Sequence, residues 1–361
     1  MRIRAFHLLN DFSGSPKVLE MALRGLAARG HYVELCTSRG GVLDSLTDAG
    51  VDVRYFSYKF SSNLPLTALR MLVAQMRMFG MAFACGRKNT TVLVNTILPV
   101  GAALGAWMGG ARVVYYYHEN AYIKSAFYRV LAKCMLRFAR RILCVSDFQR
   151  SYLPSDSPAV VVPNALPASM SSALVYDSES AYARRTVLMV GSLKRYKGVN
   201  EFYAIAAGME DVRFILVVND TEENIAAYEE RFGLQRPANL AVYPRQSDIA
   251  QFYNRASVVL NLTDRREVVE TFGLTALEAM TAGLPVVVPT EGGVAELVTD
   301  GSEGFKIDVA NGIAPFIEHL RMMLDNREIY MRMAACARAK AAGYSEDEYI
   351  KNFEKQLSDE Q

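Results

Sequence analysis

The chain has 361 residues, of which 51 % are hydrophobic and 22 % charged, a length and composition that indicate two domains with separate buried cores. Its five cysteines show no metal-ligand spacing, and an odd number argues against a disulfide framework and is typical of a reducing compartment. No short repeat, coiled coil or low-complexity tract is present.

The net charge of +2 hides an asymmetry between the two halves. Residues 1–165 carry 20 Lys/Arg and 9 Asp/Glu, giving +11, whereas residues 166–361 carry 20 and 29, giving −9. A basic half favours an anionic partner such as a membrane surface, a phosphorylated acceptor or nucleic acid. Alternatively, the two halves neutralise each other.

Short β-branched runs alternate with helical stretches through the first half of the chain. The first strand ends before Asn10-Asp11, which interrupts the apolar run and argues against a secretory signal, so the expected location is the cytoplasm. The predicted strands lie near residues 2–8, 31–37, 51–56, 91–95, 111–117, 141–145 and 159–162, and the predicted helices near 16–29, 65–86, 98–109, 122–140 and 146–153.

A stretch rich in Ser, Ala and Pro, from Pro163 to about Ala183, predicts a linker. A final helix near 346–358 is expected to pack back on the first domain. The alternation is typical of doubly wound parallel sheets, and two such domains bind ligands in a cleft at the carboxyl ends of their strands. Beyond the linker, the predicted strands lie near 186–190, 212–218, 240–243, 257–262 and 286–288.

The most informative motif begins at Glu270 and reads Glu-Thr-Phe-Gly-Leu-Thr-Ala-Leu-Glu-Ala-Met-Thr-Ala-Gly-Leu-Pro. It predicts a helix that starts at Phe272, Gly273 and Leu274, where unpaired N–H groups and a partial positive charge can hold a phosphate. Glu278, inside the helix, can accept hydrogen bonds from a sugar diol, and Glu270 can contact whatever the phosphate carries. The motif therefore indicates a site for a nucleotide-linked sugar.

A second motif, Gly-Ser-Leu-Lys-Arg-Tyr-Lys-Gly, runs from Gly191 to Gly198 directly after a predicted strand. Doubly wound folds bind phosphate at this first strand-to-helix turn. Gly191 is expected to permit a tight turn, and Lys197 can place an ammonium on a departing pyrophosphate. Alone these residues also fit a solvated surface turn, and they do not form a P-loop.

His118 ends the apolar strand near 111–117 and is followed by Glu119. A lone histidine is more often structural than functional. Its place at a strand end, however, puts it at the edge of the predicted cleft, which favours a functional role.

The loop after the first strand contains Gly14 and Ser15 just before a predicted helix. These residues could approach an acceptor or a phosphate through their backbone. An ordinary loop, with Ser15 as the helix N-cap and Pro16 at the first helical position, predicts the same residues, so both interpretations stay open.

Two segments of the first half suggest contact with a membrane. The apolar, Met-rich segment Leu66–Cys85 contains Arg70 and Arg77, which argue against a spanning helix. The helix predicted at 122–141 is basic and amphipathic, so it could lie on anionic lipid, although a soluble helix with a solvated face is the alternative. Its cations are Lys124, Arg129, Lys133, Arg137, Arg140 and Arg141.

Together these segments resemble the family 4 retaining glycosyltransferases of the GT-B fold, over nearly the whole chain. The resemblance implies an α/β protein with two Rossmann-like domains that face a cleft. Residues 1–165, with a returning helix at about 344–361, would bind the acceptor, and residues 166–343 would bind the nucleotide-sugar donor. It rests on the N-terminal loop, His118-Glu119, Pro163-Asn164, Gly191…Lys197-Gly198, Glu270…Glu278 and Gly292-Gly293…Glu296.

The resemblance also implies roles for the site residues. The counterpart of Glu278 binds the ribose of the nucleotide, and the counterparts of Glu270 and His118 contact the donor sugar. The counterpart of Lys197 binds the pyrophosphate. The fold needs no metal ion, and no cofactor is expected besides the nucleotide sugar as substrate. The remaining predicted donor contacts are Gly191, Phe272, Gly273 and Leu274.

The chain departs from the family pattern where phosphate is bound. Many members have Arg at the position of Ser192, and Lys194 or Arg195 is a candidate substitute. Arg265 and Arg266 either contact the pyrophosphate or belong to a solvated charge run. The N-terminal loop also departs from the pattern, with Ser13-Gly14-Ser15-Pro16 where Gly-Gly is common.

The sequence thus predicts a retaining, metal-independent, hexosyltransferase-type enzyme with His118, Glu270 and Lys197 as catalytic residues. It would transfer sugar from a nucleoside-diphosphate donor, with UDP favoured over GDP, to a saccharide or lipid-linked acceptor in bacterial surface polysaccharide or glycolipid biosynthesis. It would be cytoplasmic and peripheral on the inner face of the membrane.

Two alternatives remain, a nucleotide-sugar 2-epimerase of the same fold and a non-catalytic nucleotide-sugar-binding subunit. Other classes are disfavoured. The basic half contains no known nucleic-acid-reading motif, and no Gly-x-Gly-x-x-Gly follows the first strand, which argues against a nicotinamide-dependent dehydrogenase.

Overall fold

The computed structural model describes residues 1–59, 61, 63–85 and 90–358. The chain forms two compact units, residues 1–164 with 347–361, and residues 165–346. The sequence places these divisions at 165 and 343, within three residues of the observed ones. Residue 86, the predicted end of a helix, and residues 359–361 of the predicted C-terminal segment lie outside the described part.

The N-terminal domain contains a seven-stranded parallel sheet in the order β3-β2-β1-β4-β5-β6-β7. Strands buried on both faces need continuous apolar runs, and the stretch Val113–Tyr117 is buried throughout. The strands are β1 (Arg2–Phe6), β2 (Tyr32–Thr37), β3 (Asp52–Tyr55), β4 (Thr90–Asn95), β5 (Arg112–Tyr117), β6 (Arg141–Cys144) and β7 (Ala159–Val161).

The predicted helix near 122–140 is in fact two helices. Ser125 adopts an extended conformation between them, and its hydroxyl accepts a hydrogen bond from the backbone N–H of Tyr128. The second helix therefore starts with its own cap. The helices of this domain are α1 (Gly14–Ala28), α2 (Leu64–Phe83), α3 (Val100–Met108), α4 (Ala121–Lys124), α5 (Ala126–Phe138) and α6 (Asp147–Arg150), with a 3-10 segment at Val42–Ala49.

A stripe of three glycines, Gly101, Gly105 and Gly109, lets α2 and α3 pack with their backbones in close approach. A Cβ added at any of the three would lie 2.3–2.5 Å from a carbonyl oxygen of α2. The Gln75 side chain also joins the two helices, because its Oε1 accepts from the N–H of Gly101 at 2.7 Å. The outer face of α2 consequently points away from the core.

The C-terminal domain contains a six-stranded parallel sheet in the order β10-β9-β8-β11-β12-β13. The sequence predicted every strand except the last, which has only three residues and begins with Gly304. The strands are β8 (Thr186–Gly191), β9 (Arg213–Val218), β10 (Leu240–Tyr243), β11 (Val258–Leu260), β12 (Val286–Val288) and β13 (Gly304–Lys306).

The predicted linker from 163 to about 183 is not irregular throughout, because it contains two short helices. Asp177 caps the second of these by accepting a hydrogen bond from the N–H of Ser180 at 3.1 Å. The helices of this domain are α7 (Ala168–Ala173), α8 (Ser178–Arg184), α9 (Val199–Ala207), α10 (Glu222–Phe232), α11 (Ala250–Tyr253), α12 (Leu274–Thr281), α13 (Gly293–Glu296), α14 (Ala314–Asp325) and α15 (Arg327–Ala341).

The final helix, α16 (Glu346–Leu357), packs on the N-terminal domain, as the sequence predicted. The Tyr349 hydroxyl lies 3.0 Å from that of Tyr116 on β5, which donates to Asn164 Oδ1 at 2.7 Å. The ring of Phe353 packs edge-on against Tyr116. The helix therefore completes the core of a domain that the chain left more than 180 residues earlier.

Each sheet has one point where the strand order reverses, between β1 and β4 in the first and between β8 and β11 in the second. The loops that leave the two strands at such a switch point diverge and create a crevice, where open α/β sheets bind ligands. His7 and Asn95 lie at the first switch point, and the loops after Gly191 and Leu260 lie at the second.

Candidate active site

The glutamate motif folds as the sequence predicts, with α12 beginning directly after Gly273. This glycine has φ +99°, which only glycine adopts without strain, and an added Cβ would lie 2.4 Å from Cγ2 of Val294. The N–H of Gly293 donates to the carbonyl of Glu270 at 2.8 Å. The Gly292-Gly293 loop therefore packs against the glutamate motif and fixes the start of α12.

Lys197 and Glu270 form a direct ion pair, although they are 73 residues apart in the chain. The Glu270 carboxylate also accepts from Asn261 Nδ2 at 2.9 Å and lies 2.8 Å from the Thr263 hydroxyl. Asn261 and Thr263 follow β11, so the ion pair sits at the switch point of the second sheet. The structure thus brings two predicted catalytic residues together.

The charge of Glu270 is stabilised in this setting. Burial by itself would raise the pKa of Glu270, but the Lys197 ammonium and the contacts with Thr263 and Asn261 outweigh it and lower the pKa below the usual value. Glu270, which lies just ahead of α12 in the chain, is therefore ionised at neutral pH and paired with Lys197.

Glu278, on α12, accepts a hydrogen bond from the buried hydroxyl of Tyr253 at the end of α11. Burial, together with the neighbouring carboxylate, raises the pKa of Tyr253 well above its ordinary value, so the hydroxyl remains a donor. This contact fixes the rotamer of Glu278 and occupies its Oε2 atom. The carboxylate is thereby aimed before any ligand binds.

The loop from Gly191 to Gly198 differs in one respect from the sequence prediction. Gly191 ends β8 without a positive φ, so it does not supply the tight turn. The glycine with a positive φ in this loop is Gly198, at +77°. A Cβ added to Gly198 would lie 2.4 Å from the carbonyl oxygen of Leu262. Gly198 lets the Lys197 loop pack against the end of β11.

The candidate substitutes for the family arginine at Ser192 have different surroundings. Arg195 donates to both carboxylate oxygens of Glu201, at 2.8 and 3.0 Å, and so pairs with the first turn of α9. Lys194 is exposed. The side-chain partners of Glu270 are Lys197, Asn261 and Thr263, and neither candidate is among them.

Arg265 and Arg266 are also engaged with carboxylates. Arg265 donates to Asp308 at 2.7 Å and to Glu291 at 2.9 Å, and Arg266 donates to Asp264 at 2.7 Å. Both arginine side chains are at least 40 % exposed. These contacts favour the solvated charge run over pyrophosphate binding.

In the N-terminal domain, His118 belongs to a hydrogen-bonded relay at the first switch point. His118 Nε2 lies 2.9 Å from Asn95 Oδ1, Asn95 Nδ2 lies 2.9 Å from His7 Nδ1, and His7 Nε2 lies 2.8 Å from the carbonyl oxygen of Leu9. An amide oxygen can only accept and an amide nitrogen only donate, so both imidazoles carry their proton on Nε2.

Both histidines of the relay are neutral at physiological pH. Burial lowers the pKa of His118 to about 3, with the nearby His7 adding to the effect, and burial lowers the pKa of His7 to about 4. His118 therefore interacts with a ligand as an uncharged imidazole of fixed tautomer and does not act as a cationic acid.

The backbone is strained next to the His118 relay. Thr96, which follows Asn95, has φ +67°, an outlier for a β-branched residue. Its conformation turns the chain so that the N–H of Ile97 donates to the Glu119 carboxylate at 3.2 Å. Burial raises the pKa of Glu119. Such outliers concentrate at functional sites because the surrounding structure must hold them.

The start of α1 shows which residue of the N-terminal loop occupies the N-cap position. α1 starts at Gly14, with Ser13 rather than Ser15 in the N-cap position, and the Ser13 hydroxyl donates to Asp11 at 2.5 Å. The prediction of Ser15 as N-cap is therefore wrong. Gly14 is exposed and Ser15 half-buried in the first turn of the helix. Their contact with an acceptor or a phosphate remains a prediction.

Sequence reasoning missed His7, Asn95, Tyr253, Asn261 and Thr263. Four of them share a signal that was available, since His7, Asn95, Asn261 and Thr263 are polar residues that end or follow apolar strands. Tyr253 lies in an ordinary helical stretch and carries no such signal. Among the described residues, no cluster of three or more His, Cys, Asp or Glu side chains could hold a metal ion.

Comparison with known families accounts for nearly all of the chain. Residues 177–340 match the family described as glycosyl transferases group 1, and residues 12–169 match glycosyltransferase family 4. The chain belongs to the group 1 glycosyltransferases. The Lys197–Glu270 pair and the Glu278 helix lie within the first matched region, and the His118 relay lies largely within the second.

Curated relatives are similar over part of their length. A glycosyltransferase of Haemophilus influenzae without an assigned activity is 26 % identical over 175 residues, which are 47 % of this chain and 48 % of the relative. A D-inositol 3-phosphate glycosyltransferase of Acidothermus cellulolyticus is 28 % identical over 166 residues, 40 % of this chain and 36 % of the relative. The chain thus spans half or less of the length of these relatives.

Solved structures resemble the whole chain. Anabaena HepE, crystallised with UDP and glucose, aligns with a TM-score of 0.78 and 19 % identity over 100 % of both chains. Sucrose-phosphate synthase of Thermosynechococcus elongatus aligns with a TM-score of 0.75 and 16 % identity over 98 % of both. At these identities the similarity establishes the fold, which is that of GT-B glycosyltransferases.

Proposed function

We propose that this glycosyltransferase is a retaining enzyme that moves a sugar from a nucleoside-diphosphate donor to a saccharide or lipid-linked acceptor. The observation that carries the proposal is the ion pair of Lys197 and Glu270 at the switch point, with Glu270 just ahead of α12 in the chain. A cation and a helix start next to each other form a diphosphate site. The HepE structures with UDP and UDP-glucose support a UDP-sugar as donor.

The donor site has three parts in this proposal. Glu278, aimed by Tyr253, accepts hydrogen bonds from the ribose. The backbone of Phe272, Gly273 and Leu274 donates to the phosphates at the start of α12. When a diphosphate binds, Lys197 moves its hydrogen bond from Glu270 to a phosphate oxygen. That exchange releases Glu270 Oε1 to accept from a hydroxyl of the sugar.

The difficult step of the reaction is departure of the anionic diphosphate while positive charge grows on the sugar. Lys197 and the start of α12 stabilise the leaving charge more strongly in the transition state than in the bound donor. We propose front-face attack, in which the leaving phosphate accepts the proton of the acceptor hydroxyl. His118 then orients the sugar as a neutral imidazole.

A non-catalytic, nucleotide-sugar-binding role is the second candidate. It is favoured by Ser192 at the usual arginine position and by the engagement of Arg195 with Glu201, which together leave the diphosphate with fewer cations. Turnover separates the two proposals, because a binding subunit would bind nucleotide without transferring sugar. Formation of a new nucleotide sugar without acceptor would instead identify a 2-epimerase.

The first experiment is a thermal-shift titration with UDP, GDP and ADP on the wild type and on Glu278→Ala. We expect UDP to stabilise the wild type and to lose most of that effect in the variant, since ligand that binds only the folded state raises its stability. No stabilisation by any nucleotide would contradict the donor site. Activity retained in EDTA and retention at the anomeric carbon, followed by NMR, test metal independence and stereochemistry.

We further propose that the enzyme works as a peripheral protein on the inner face of the membrane, in surface polysaccharide or glycolipid biosynthesis. Similarity to WaaG, described as a glycosyltransferase of lipopolysaccharide biosynthesis, supports this setting, with a TM-score of 0.70 at 18 % identity over 99 % of this chain and 100 % of WaaG. In the part of the chain that the structure describes, no helix has the length and hydrophobicity to cross a bilayer.

A further inference from the structure

The outer face of α2 carries a set of apolar side chains that the described residues of the N-terminal domain leave exposed. Because the glycine stripe of α3 receives the opposite face of α2, the outer residues point away from the core. Three of them, Leu69, Leu72 and Met76, are 56–59 % exposed. We call this surface the outer α2 face; its members are Leu66, Leu69, Leu72, Met76 and Phe83.

The same side of the domain exposes further apolar groups on neighbouring helices. α3 contacts both α2 and α5, and its exposed end carries Trp107 and Met108. The Trp107 ring packs on Phe138 of α5, with ring centroids 5.3 Å apart. Beyond it, α4 and α5 expose Ile123, Phe127 and Val130. In all, ten of the seventeen large apolar side chains exposed among the described residues lie on these helices.

The part of the sequence that contains these helices is strongly basic. Residues 53–146 contain thirteen Lys/Arg and a single acidic residue, Glu119, which gives 13 − 1 = +12. The Glu119 carboxylate accepts a hydrogen bond from the backbone N–H of Ile97, and the charge of Lys124 also acts on it. The exposed cations are Lys124 on α4, Arg129, Lys133 and Arg137 on α5, and Arg140 just after α5.

We propose that the outer α2 face, the end of α3 and the exposed side of α4 and α5 form one docking surface for an anionic lipid bilayer. Apolar side chains beside a dense set of cations, without carboxylates, match acyl chains beneath anionic headgroups. Protein interfaces are instead depleted in lysine and use both signs of charge. The proposal gives a location to the membrane attachment included in the proposed function, but it does not depend on sugar transfer.

Trp107 is a built-in probe of this surface, because it is the single tryptophan of the chain and is 41 % exposed. We expect its fluorescence to shift to the blue with phosphatidylglycerol vesicles, and to be quenched when the acyl chains are brominated. Vesicles of pure phosphatidylcholine should give a much smaller change. The proposal would be overturned if phosphatidylglycerol vesicles gave no larger blue shift than phosphatidylcholine vesicles and brominated acyl chains did not quench the fluorescence.

Two sets of variants test the two components of the surface. L69Q/L72Q/M76Q removes apolar contacts, and R129Q/K133Q/R140Q removes three cations; we expect each to lower the vesicle partition coefficient roughly tenfold or more. The matched controls are V175Q/M322Q and R213Q/R255Q/R332Q, which change exposed residues of the C-terminal domain. Equal losses in test and control variants would contradict the assignment.

Other occupants of the surface give different results. A blue shift that grows with protein concentration in the absence of vesicles, together with a larger sedimentation coefficient, would identify a second copy of the chain and overturn the lipid proposal. The UDP thermal shift is measured on every variant. Its retention shows that a variant is folded, and keeps a failure of the docking surface distinct from a failure of the donor site.

Discussion

The Tyr253 hydroxyl donates to the Glu278 carboxylate, which ties the last turn of α11 to the helix that carries the donor motif. The carboxylate proposed to bind ribose is therefore held in place by a residue 25 positions earlier in the chain. A preorganised acceptor loses less conformational entropy when the ligand binds.

Removal of this hydroxyl tests its positioning role. A hydrogen bond to a charged group is worth about 1.5 kcal/mol or more, so Tyr253→Phe should weaken UDP binding roughly tenfold. Calorimetric titration measures the change. Tyr330→Phe is the matched control, because its buried hydroxyl donates to the carbonyl of Ser257, at the other end of β11. Equal affinities of the Tyr253 variant and the wild type would show that Glu278 needs no such support.

Lys197→Ala should lower kcat at saturating donor, since the ammonium is proposed to stabilise the leaving diphosphate. The neighbouring exposed Lys194→Ala is the control and should retain turnover. The variant also leaves Glu270 buried without its cation, so we expect a lower Tm. Adding Glu270→Gln should restore much of the Tm without restoring kcat. Unchanged kcat in Lys197→Ala would remove this residue from the mechanism.

The relay histidines make stability depend on pH. An unfolded histidine titrates near 6.5, whereas the folded pKa is about 4 for His7 and about 3 for His118. Between these values the unfolded chain binds more protons, so stability falls as pH decreases below 6.5, by up to about 1.4 kcal/mol per pH unit and histidine. The free energy of unfolding, measured by denaturation between pH 5 and 7, should change less steeply with pH in His118→Gln than in the control His319→Gln.

Asn95→Asp should change the protonation of the relay. A carboxylate between the two imidazoles favours their charged forms, so a histidine resonance should begin to titrate near pH 5–7 in NMR spectra. Turnover should become pH-dependent over the same range if a neutral His118 orients the sugar. Asn95→Leu, which cannot charge, should reduce turnover without the new titration. A titration pattern identical to wild type in Asn95→Asp would contradict the relay.

Gly273→Ala should be costly because it combines a positive φ with a clash against Val294. Gly233→Ala is the control, since Gly233 has φ +60° but no atom within 4 Å of the added Cβ. Both variants are destabilised by placing alanine at a positive φ. The clash with Val294 should lower the free energy of unfolding of Gly273→Ala by roughly 1–3 kcal/mol more. Loss of UDP binding is expected only for Gly273→Ala. Equal destabilisation of the two variants would show that the contact with Val294 is readily relieved.

Much of the architecture could be predicted because it depends on local patterns. Apolar runs gave the strands, and the spacing of Glu270 and Glu278 around a helix start indicated a nucleotide-sugar site. The break at Ser125 was missed although serine is a common N-cap, since apolar and basic residues continue the helical pattern on both sides. β13 was missed because three residues give too short a run.

The contacts that orient the site could not be predicted in the same way. His7 and Asn95 are 88 residues apart and meet only because β1 and β4 are neighbours in the sheet. Tyr253 on α11 and Glu278 on α12 are separated in the chain by β11, and only the folded structure brings them together. A single sequence shows which residues end strands, but strand order decides which of those ends face each other.

The contact of Tyr349 and Phe353 with Tyr116 sets an order of events during synthesis. The N-terminal domain cannot close its core around Tyr116 until the last helix has left the ribosome, after the entire C-terminal domain has emerged. Tyr116 and its neighbours therefore stay uncovered while a second domain folds. A nascent chain stalled before residue 346 should expose an apolar surface that chaperones recognise.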